Sequence, residues 1–312
     1  MKELKYSDVV LLPKYSDLRS RSKAVTTVQL GYNSFSVPVV PANMKSVMDS
    51  NHAFTLSEDY YFYIMHRFGV DPIKFCQKAA QWKLISISLG VKKEDKDNVL
   101  LLSRFGLRVD YITIDIAHGH CAGMKEMVKF VKKHLPDTFL IAGNVATAEG
   151  VKDLAKWGAD CAKAGIGQGY VCTTKDKTGF TRPMFSCVQD CTAGAPIPVI
   201  ADGGIRSHGD IAKALVAGAD MVMAGSLFSR CLDSPAVSTV VDGKTYKQYF
   251  GSASEHNKDV KKHIEGVMKE VPCSNFTYRE KLQEIQEDLS SSVSYAGGKD
   301  LSCFLTTPWR EV

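Results

Sequence analysis

Short apolar runs rich in β-branched residues alternate along this chain with segments whose apolar residues recur every three to four positions. The runs are VPVVPAN (37–43), FYIMHR (62–67), LISISLG (84–90), YITIDIA (111–117), FLIAGN (139–144), CAKAGIG (161–167), PVIADGG (198–204) and MVMAGS (221–226). Continuous apolar runs of this length predict strands buried on both faces, the habit of a parallel sheet. Most begin about 22 to 28 residues apart, and the gap between the sixth and seventh is longer. Eight strands, each followed by a helical pattern, predict an α/β fold closed into a (β/α)8 TIM barrel rather than an open sheet.

The helical segments carry their own punctuation. Residues 207–217 have Ser207 as N-cap, Asp210 three positions on, apolar Ile211 and Leu215, then Gly218 as a stop. Residues 147–157 start at Thr147 and end before Gly158, and residues 71–82 place Asp71 before Pro72 at the first helical position. No linker or low-complexity stretch divides the chain, apart from SSSVSYAGG (290–298), which reads as a helix end and a loop. The expectation is one catalytic barrel domain over residues 1–312.

Composition adds limits. Hydrophobic residues make up 45% and charged residues 23%, ordinary for a globular protein of 312 residues. The net charge of +5 is spread along the chain without a basic run, which argues against nucleic acid as a partner and fits small anionic ligands. Nine cysteines at irregular spacing include no pair of CxxC motifs, so a zinc site is not expected. Free thiols fit a reducing, cytoplasmic setting. The N-terminus lacks a signal-peptide pattern, and no run of about eighteen apolar residues predicts a membrane span.

The chemistry of a barrel sits at the C-terminal ends of its strands. Gly203-Gly204 follow the seventh run and Gly225-Ser226 the eighth, the places where this fold usually holds phosphate. Glycine turns let backbone N–H groups approach phosphate oxygens, and a serine adds a donor. One such pair reads as a tight turn; two on adjacent strands favour phosphate. Asp202, just before the first pair, can accept from ribose hydroxyls or cap its turn. The loop GIGQGYVCTTKDKTGF (165–180) places Cys172 on a glycine-rich segment within the longest gap, where a thiol is either a nucleophile or a small packed residue. Asp115 ends the fourth run, where it orients a ligand, caps a helix or pairs with a cation. His66, His118 and His120 lack the carboxylate pattern of a metal site. By pattern alone Glu265 is an unremarkable loop carboxylate.

GIGQGYVCTTKDKTG resembles the cysteine loop of the IMP dehydrogenase/GMP reductase family, and VPVVPANM, YITIDIAHGH, FLIAGNVAT, GADCAKAGIG, IADGGIRSHGDIAKAL and SSVSYAGG follow in the family's order, from about residue 5 to about residue 300. Two features place the chain on the reductase side, near the shorter bacterial members. No insertion such as the dehydrogenases' paired CBS modules separates the second and third runs. The stretch SEHNKDVKKHI (254–264) also lacks the Arg-Tyr pair with which dehydrogenases activate water.

The resemblance implies reductive deamination of GMP to IMP and ammonia with NADPH. In it Cys172 adds to purine C2, and Thr174 with Glu265 handles protons. Asp202 would hold the ribose, Gly203, Gly204, Gly225 and Ser226 the phosphate, and backbone groups of Ser252 and Ala253 the purine edge. Asp115, His118 and Gly119 would face the nicotinamide. Carbonyls of Gly167, Gly169 and Cys172 match a monovalent-cation loop, which leaves potassium open as a ligand. The resemblance also implies a homotetramer. Departures lie in the loop itself, which commonly reads GIGPGS or GIGPGK in the family and here carries Gln168 and Tyr170. Losing the proline is expected to loosen the loop, and losing Ser or Lys removes a phosphate donor. Ala224 before Gly225 and Val267 after Gly266 are further departures. The alternatives are a dehydrogenase without CBS modules and a nucleotide-binding protein with weakened catalysis.

Overall fold

The computed structural model describes residues 2–258 and 264–312. Its centre is a curled, seven-stranded parallel sheet built from Val39–Pro41 (β1), Ser86–Leu89 (β2), Tyr111–Asp115 (β3), Phe139–Val145 (β4), Cys161–Ala164 (β5), Val199–Asp202 (β6) and Met221–Ala224 (β7). The strand order is β1-β7-β6-β5-β4-β3-β2, so the first strand lies beside the last. Val39 pairs with Val222 and Pro41 with Ala224. Every strand lies on one of the predicted runs. Their side chains are buried on both faces, as the unbroken apolar runs require: Ile112, Ile114, Leu140, Ile141 and Val222 are all 0% exposed.

The second run, 62–67, does not form a ladder. It touches β2 through one parallel bridge, Met65 to Ile87. The reason is local. The Tyr63 hydroxyl accepts from Ser86 N–H (3.3 Å) and donates to the Leu84 carbonyl (2.9 Å), occupying backbone groups that face this segment. Among the described residues no ladder joins 62–67 to β1.

Helices between the strands cover the sheet: Ser50–Glu58 (α1), Pro72–Lys78 (α2), Lys93–Arg104 (α3), Ala122–His134 (α4), Ala148–Trp157 (α5), Thr174–Thr178 (α6), Met184–Thr192 (α7), His208–Val216 (α8) and Ser226–Ser229 (α9). On α4, Met124, Met127, Val128 and Val131 form the buried stripe at helical spacing. The expected caps are present. Thr147 Oγ1 accepts from Gly150 N–H, Ser207 and Asp210 form a capping box, and Asp71 accepts from Ile73 and Lys74 N–H ahead of Pro72. Helix α2 ends at Lys78, short of the predicted 82.

A three-stranded antiparallel sheet follows α9: Ser238–Val241 (β8), Lys244–Phe250 (β9) and Met268–Pro272 (β10). Its alternating polar strands were not foreseen. Glu255–Lys258 (α10) lies between β9 and β10, and Tyr278–Tyr295 (α11) runs into the SSSVSYAGG segment. No described helix is long and apolar enough to cross a membrane, and all nine cysteines are free.

Candidate active site

Neighbouring strand ends bring charged side chains together on the floor of one cavity. Asp115 closes β3, Asn144 lies near the end of β4, Lys163 lies on β5 and Asp202 closes β6. The Lys163 ammonium donates to Asp115 Oδ1 (2.8 Å) and Asp202 Oδ2 (2.7 Å) and is almost fully buried. Asn144 Nδ2 donates to Asp202 Oδ2 (2.9 Å) and to the Gly165 carbonyl (2.7 Å); Asn43 Nδ2 donates to Asp115 Oδ2 (3.0 Å). Burial would discharge both kinds of group, and the ion pairs overturn it. Asp115 is held below the ordinary carboxylate range by Lys163, and Lys163 is pushed up by the two carboxylates.

Cys172 stands above this floor. Its Sγ donates to Thr174 Oγ1 (3.2 Å), which donates to Glu265 Oε2 (2.7 Å). The carboxylate is ninety-one residues from the threonine in sequence, and backbone bonds bring it there. Thr173 N–H donates to the Glu265 carbonyl (2.9 Å), Glu265 N–H to the Ala253 carbonyl (3.0 Å), and Val267 N–H to the Val171 carbonyl (2.9 Å). Residues 265–267 are thereby laid between the cysteine loop and the turn that leaves β9.

Gly203 and Gly204 both adopt positive φ (+103° and +80°), which a side chain would strain. They line the cavity with Gly225 and Ser226 after β7, so the two turns face one space. Ser252 and Ala253 line it too. The Ser252 carbonyl accepts from Asn257 Nδ2 (2.8 Å) and the Ala253 carbonyl from Glu265 N–H, so their N–H groups are what this turn offers a ring edge. Past Cys172 the cavity extends to Ile116, Ala117, Arg67 and Phe68.

Gly167 and Gly169 also line the cavity. The Gly169 carbonyl accepts from Cys172 N–H (3.1 Å), and its second lone pair remains able to take a cation.

Thus the structure brings Cys172, Thr174, Glu265, Asp202, Asp115, Ser252, Ala253 and the five named glycines of both loops and turns (167, 169, 203, 204 and 225) into one lining with Ser226. His118 and Gly119 are not part of it. His118 is exposed, while Gly119 is buried and donates its N–H to the Asn144 carbonyl (2.7 Å). His120 pairs instead with Asp153. Part of the stretch 254–264, including 259–263, lies outside the described residues.

Sequence reasoning gave neither Lys163 nor Asn144 a place in the site. Each sits inside a run read only as a strand, and a lysine in such a run was the available signal. The two departing side chains of the loop have partners: Gln168 Nε2 donates to Thr181 Oγ1 (2.7 Å), and Tyr170 stacks on Tyr249 with an interplanar angle of 15°.

A family model for the IMP dehydrogenase / GMP reductase domain matches residues 3–307. Proteins named GMP reductase are similar over nearly the whole chain. That of Chromobacterium violaceum is 49% identical, covering 96% of this chain and 95% of its own length. Those of Staphylococcus carnosus and Enterococcus faecalis are each 50% identical, covering 96% of this chain and 94% of theirs.

Proposed function

The chain belongs to the IMP dehydrogenase/GMP reductase family, and we propose that it converts GMP to IMP and ammonia with NADPH through a bond between Cys172 and purine C2. The observation that carries this reading is the relay from Cys172 Sγ through Thr174 Oγ1 to Glu265. A thiol that attacks C2 must lose a proton, and the departing amine must gain one before it leaves as ammonia. A hydroxyl between the sulfur and a carboxylate can serve both transfers. NADPH supplies the hydride that takes the place of the amine at C2. The C2–S bond then breaks and the thiolate returns, so the enzyme is unchanged at the end of the cycle.

The rest of the cavity fits the same substrate. Asp202, fixed by Lys163 and Asn144, would accept from the ribose hydroxyls. The turns at Gly203-Gly204 and Gly225-Ser226 would take the phosphate. The N–H groups of Ser252 and Ala253 would meet the purine edge, and Asp115 would stand towards the nicotinamide. His118 and Gly119 would join the cofactor site from the adjoining loop. Potassium at the carbonyls of Gly167, Gly169 and Cys172 would stiffen the cysteine loop. The 62–67 segment completes the sheet as an eighth barrel strand, and residues 1–312 act as one domain without a CBS insertion. We place the protein in the cytoplasm as a homotetramer.

The test is a paired assay at 340 nm. Absorbance is expected to fall when GMP and NADPH are present. A rise with IMP and NAD+, and none of the expected fall, would assign the dehydrogenase reaction instead. Binding of GMP without turnover would assign a nucleotide-binding protein. Cys172→Ala is expected to abolish turnover while the circular dichroism spectrum is kept; full activity in that variant would exclude the covalent route.

A further inference from the structure

The glycine turns provide N–H dipoles but no charge, and a nucleotide phosphate carries nearly two negative charges at neutral pH. Among the described residues, three cations line the cavity: Arg67, Lys163 and Arg206. Lys163 is neutralised by Asp115 and Asp202. Arg67 ends the 62–67 segment, which bridges to β2, away from the turns after β6 and β7. Arg206 is two residues beyond Gly204, and Ser226 Oγ donates to the carbonyl of its neighbour Ile205 (3.3 Å).

The surroundings of Arg206 hold a guanidinium in place without neutralising it. Nη2 donates to the Gln168 carbonyl (3.1 Å), Nη1 to the Ile205 carbonyl (3.3 Å), and its central carbon lies 5.0 Å from the centroid of the Tyr170 ring. The nearby Asp210 carboxylate is occupied by the N–H groups of Arg206 and Ser207, which it caps at the start of α8. Among the described residues no carboxylate pairs with the Arg206 side chain, whereas Arg108 and Arg279 each have one and Arg182 has two. Carbonyls and an aromatic face orient a cation and leave its charge available to an anion. Tyr170 is itself backed by Tyr249 and by Lys269, whose ammonium lies 4.6 Å from the ring centroid. The ring therefore acts as a fixed wall for the guanidinium.

We propose that Arg206 is the charged member of the phosphate subsite, that it sets the preference for a nucleotide over a nucleoside, and that Tyr170 positions it. This rests on the reading of the two glycine turns as the phosphate site. Among the described residues the cysteine loop contributes no cationic side chain to the cavity lining, and the cation comes from the turn after β6 instead. An arginine fork can give a phosphate two parallel charge-assisted hydrogen bonds.

The experiment is equilibrium titration of the whole protein, without cofactor, with GMP and separately with guanosine. Arg206→Gln is expected to weaken GMP by roughly 10- to 100-fold, in line with loss of a charge-assisted pair, and to leave guanosine within about twofold. Arg206→Lys should recover part of the loss, because it keeps the charge and loses the fork. Tyr170→Leu should weaken GMP less than Arg206→Gln does, and Tyr170→Phe should match the parent. GMP affinity unchanged in Arg206→Gln would overturn the proposal. So would an equal loss for GMP and guanosine, which is the mark of a structural role. Failure of the functional reading would show separately, as a parent protein that does not oxidise NADPH with GMP, and the titration remains readable in that case.

Discussion

Glu265 shows how far a functional residue can be from any local signal. In sequence it is one carboxylate among many in a polar stretch, and only the backbone bonds to Thr173 and Ala253 aim it at Thr174. Cys172 was easier to find, because glycines crowd around it in the longest interval between apolar runs. Lys163 was hidden by its context, since a strand run gives no hint that acids from two other strands close on it. The relay makes a specific demand of Thr174. Thr174→Val keeps the shape and removes the hydroxyl between sulfur and carboxylate, and kcat is expected to fall about 100- to 10,000-fold, the range for losing positioned proton transfer. The KM for GMP should change little, so steady-state rates at several GMP concentrations separate this from a binding defect. Lys163→Met makes a different demand. It leaves Asp115 and Asp202 facing each other without their cation, a loss of about 3 to 5 kcal/mol. Urea unfolding should show it, and a parent-like midpoint would mean that the pairs contribute nothing net.

At the scale of elements, the apolar runs located all seven sheet strands because parallel strands buried on both faces leave a strong mark on composition. The second run fell short of a ladder because one tyrosine hydroxyl took the backbone groups beside it. The β8–β10 sheet was not legible: β8 and β10 are largely exposed and β9 is buried only in its second half, and a sheet of that kind differs little from loop in composition. Yet this sheet carries residues 251–254 and 265–267 to the cysteine loop. Its seating on the parallel sheet depends on Gly225. A Cβ added there would lie 2.2 Å from the Tyr249 hydroxyl, at the end of β9, and the ring is buried. Gly225→Ala is therefore expected to push β9 away from β7, costing about 1 to 3 kcal/mol as an overpacked contact. It should also weaken GMP binding, because Tyr249 backs Tyr170. A thermal melt and a GMP titration of the same variant check both effects. Unchanged affinity at lowered stability would separate the seating of β9 from the phosphate subsite.

Across the whole molecule, two histidines limit stability from opposite sides of one pH. His52 lies on α1 and joins distant parts of the chain. Its Nδ1 meets Asp49 at 2.8 Å, its Nε2 meets Asp233 at 3.8 Å, and its ring centroid lies 4.2 Å from that of Tyr278 on α11. Burial opposes its charge, but Asp233 and Asp49 outweigh burial and raise it from 6.5 to about 9. His66, on the 62–67 segment, has its Nδ1 buried without a hydrogen-bond partner. Burial, helped by Lys45, lowers it from 6.5 to about 4. The signs follow from proton uptake. The raised His52 contributes stability that is full below pH 6.5 and is lost as pH climbs through 9. The depressed His66 contributes stability that is full above pH 6.5 and is lost as pH falls through 4. Each term is about 2 kcal/mol after allowing for partial exposure of the groups and their partners. From these two groups the unfolding free energy should peak near pH 6.5. His52→Gln should remove the alkaline slope and leave the acid slope, so its deficit relative to the parent is largest below pH 6.5 and narrows towards pH 9. Urea midpoints measured from pH 5 to 9 test this directly, and a deficit that stays constant with pH would show that His52 acts through packing against Tyr278 rather than through its charge.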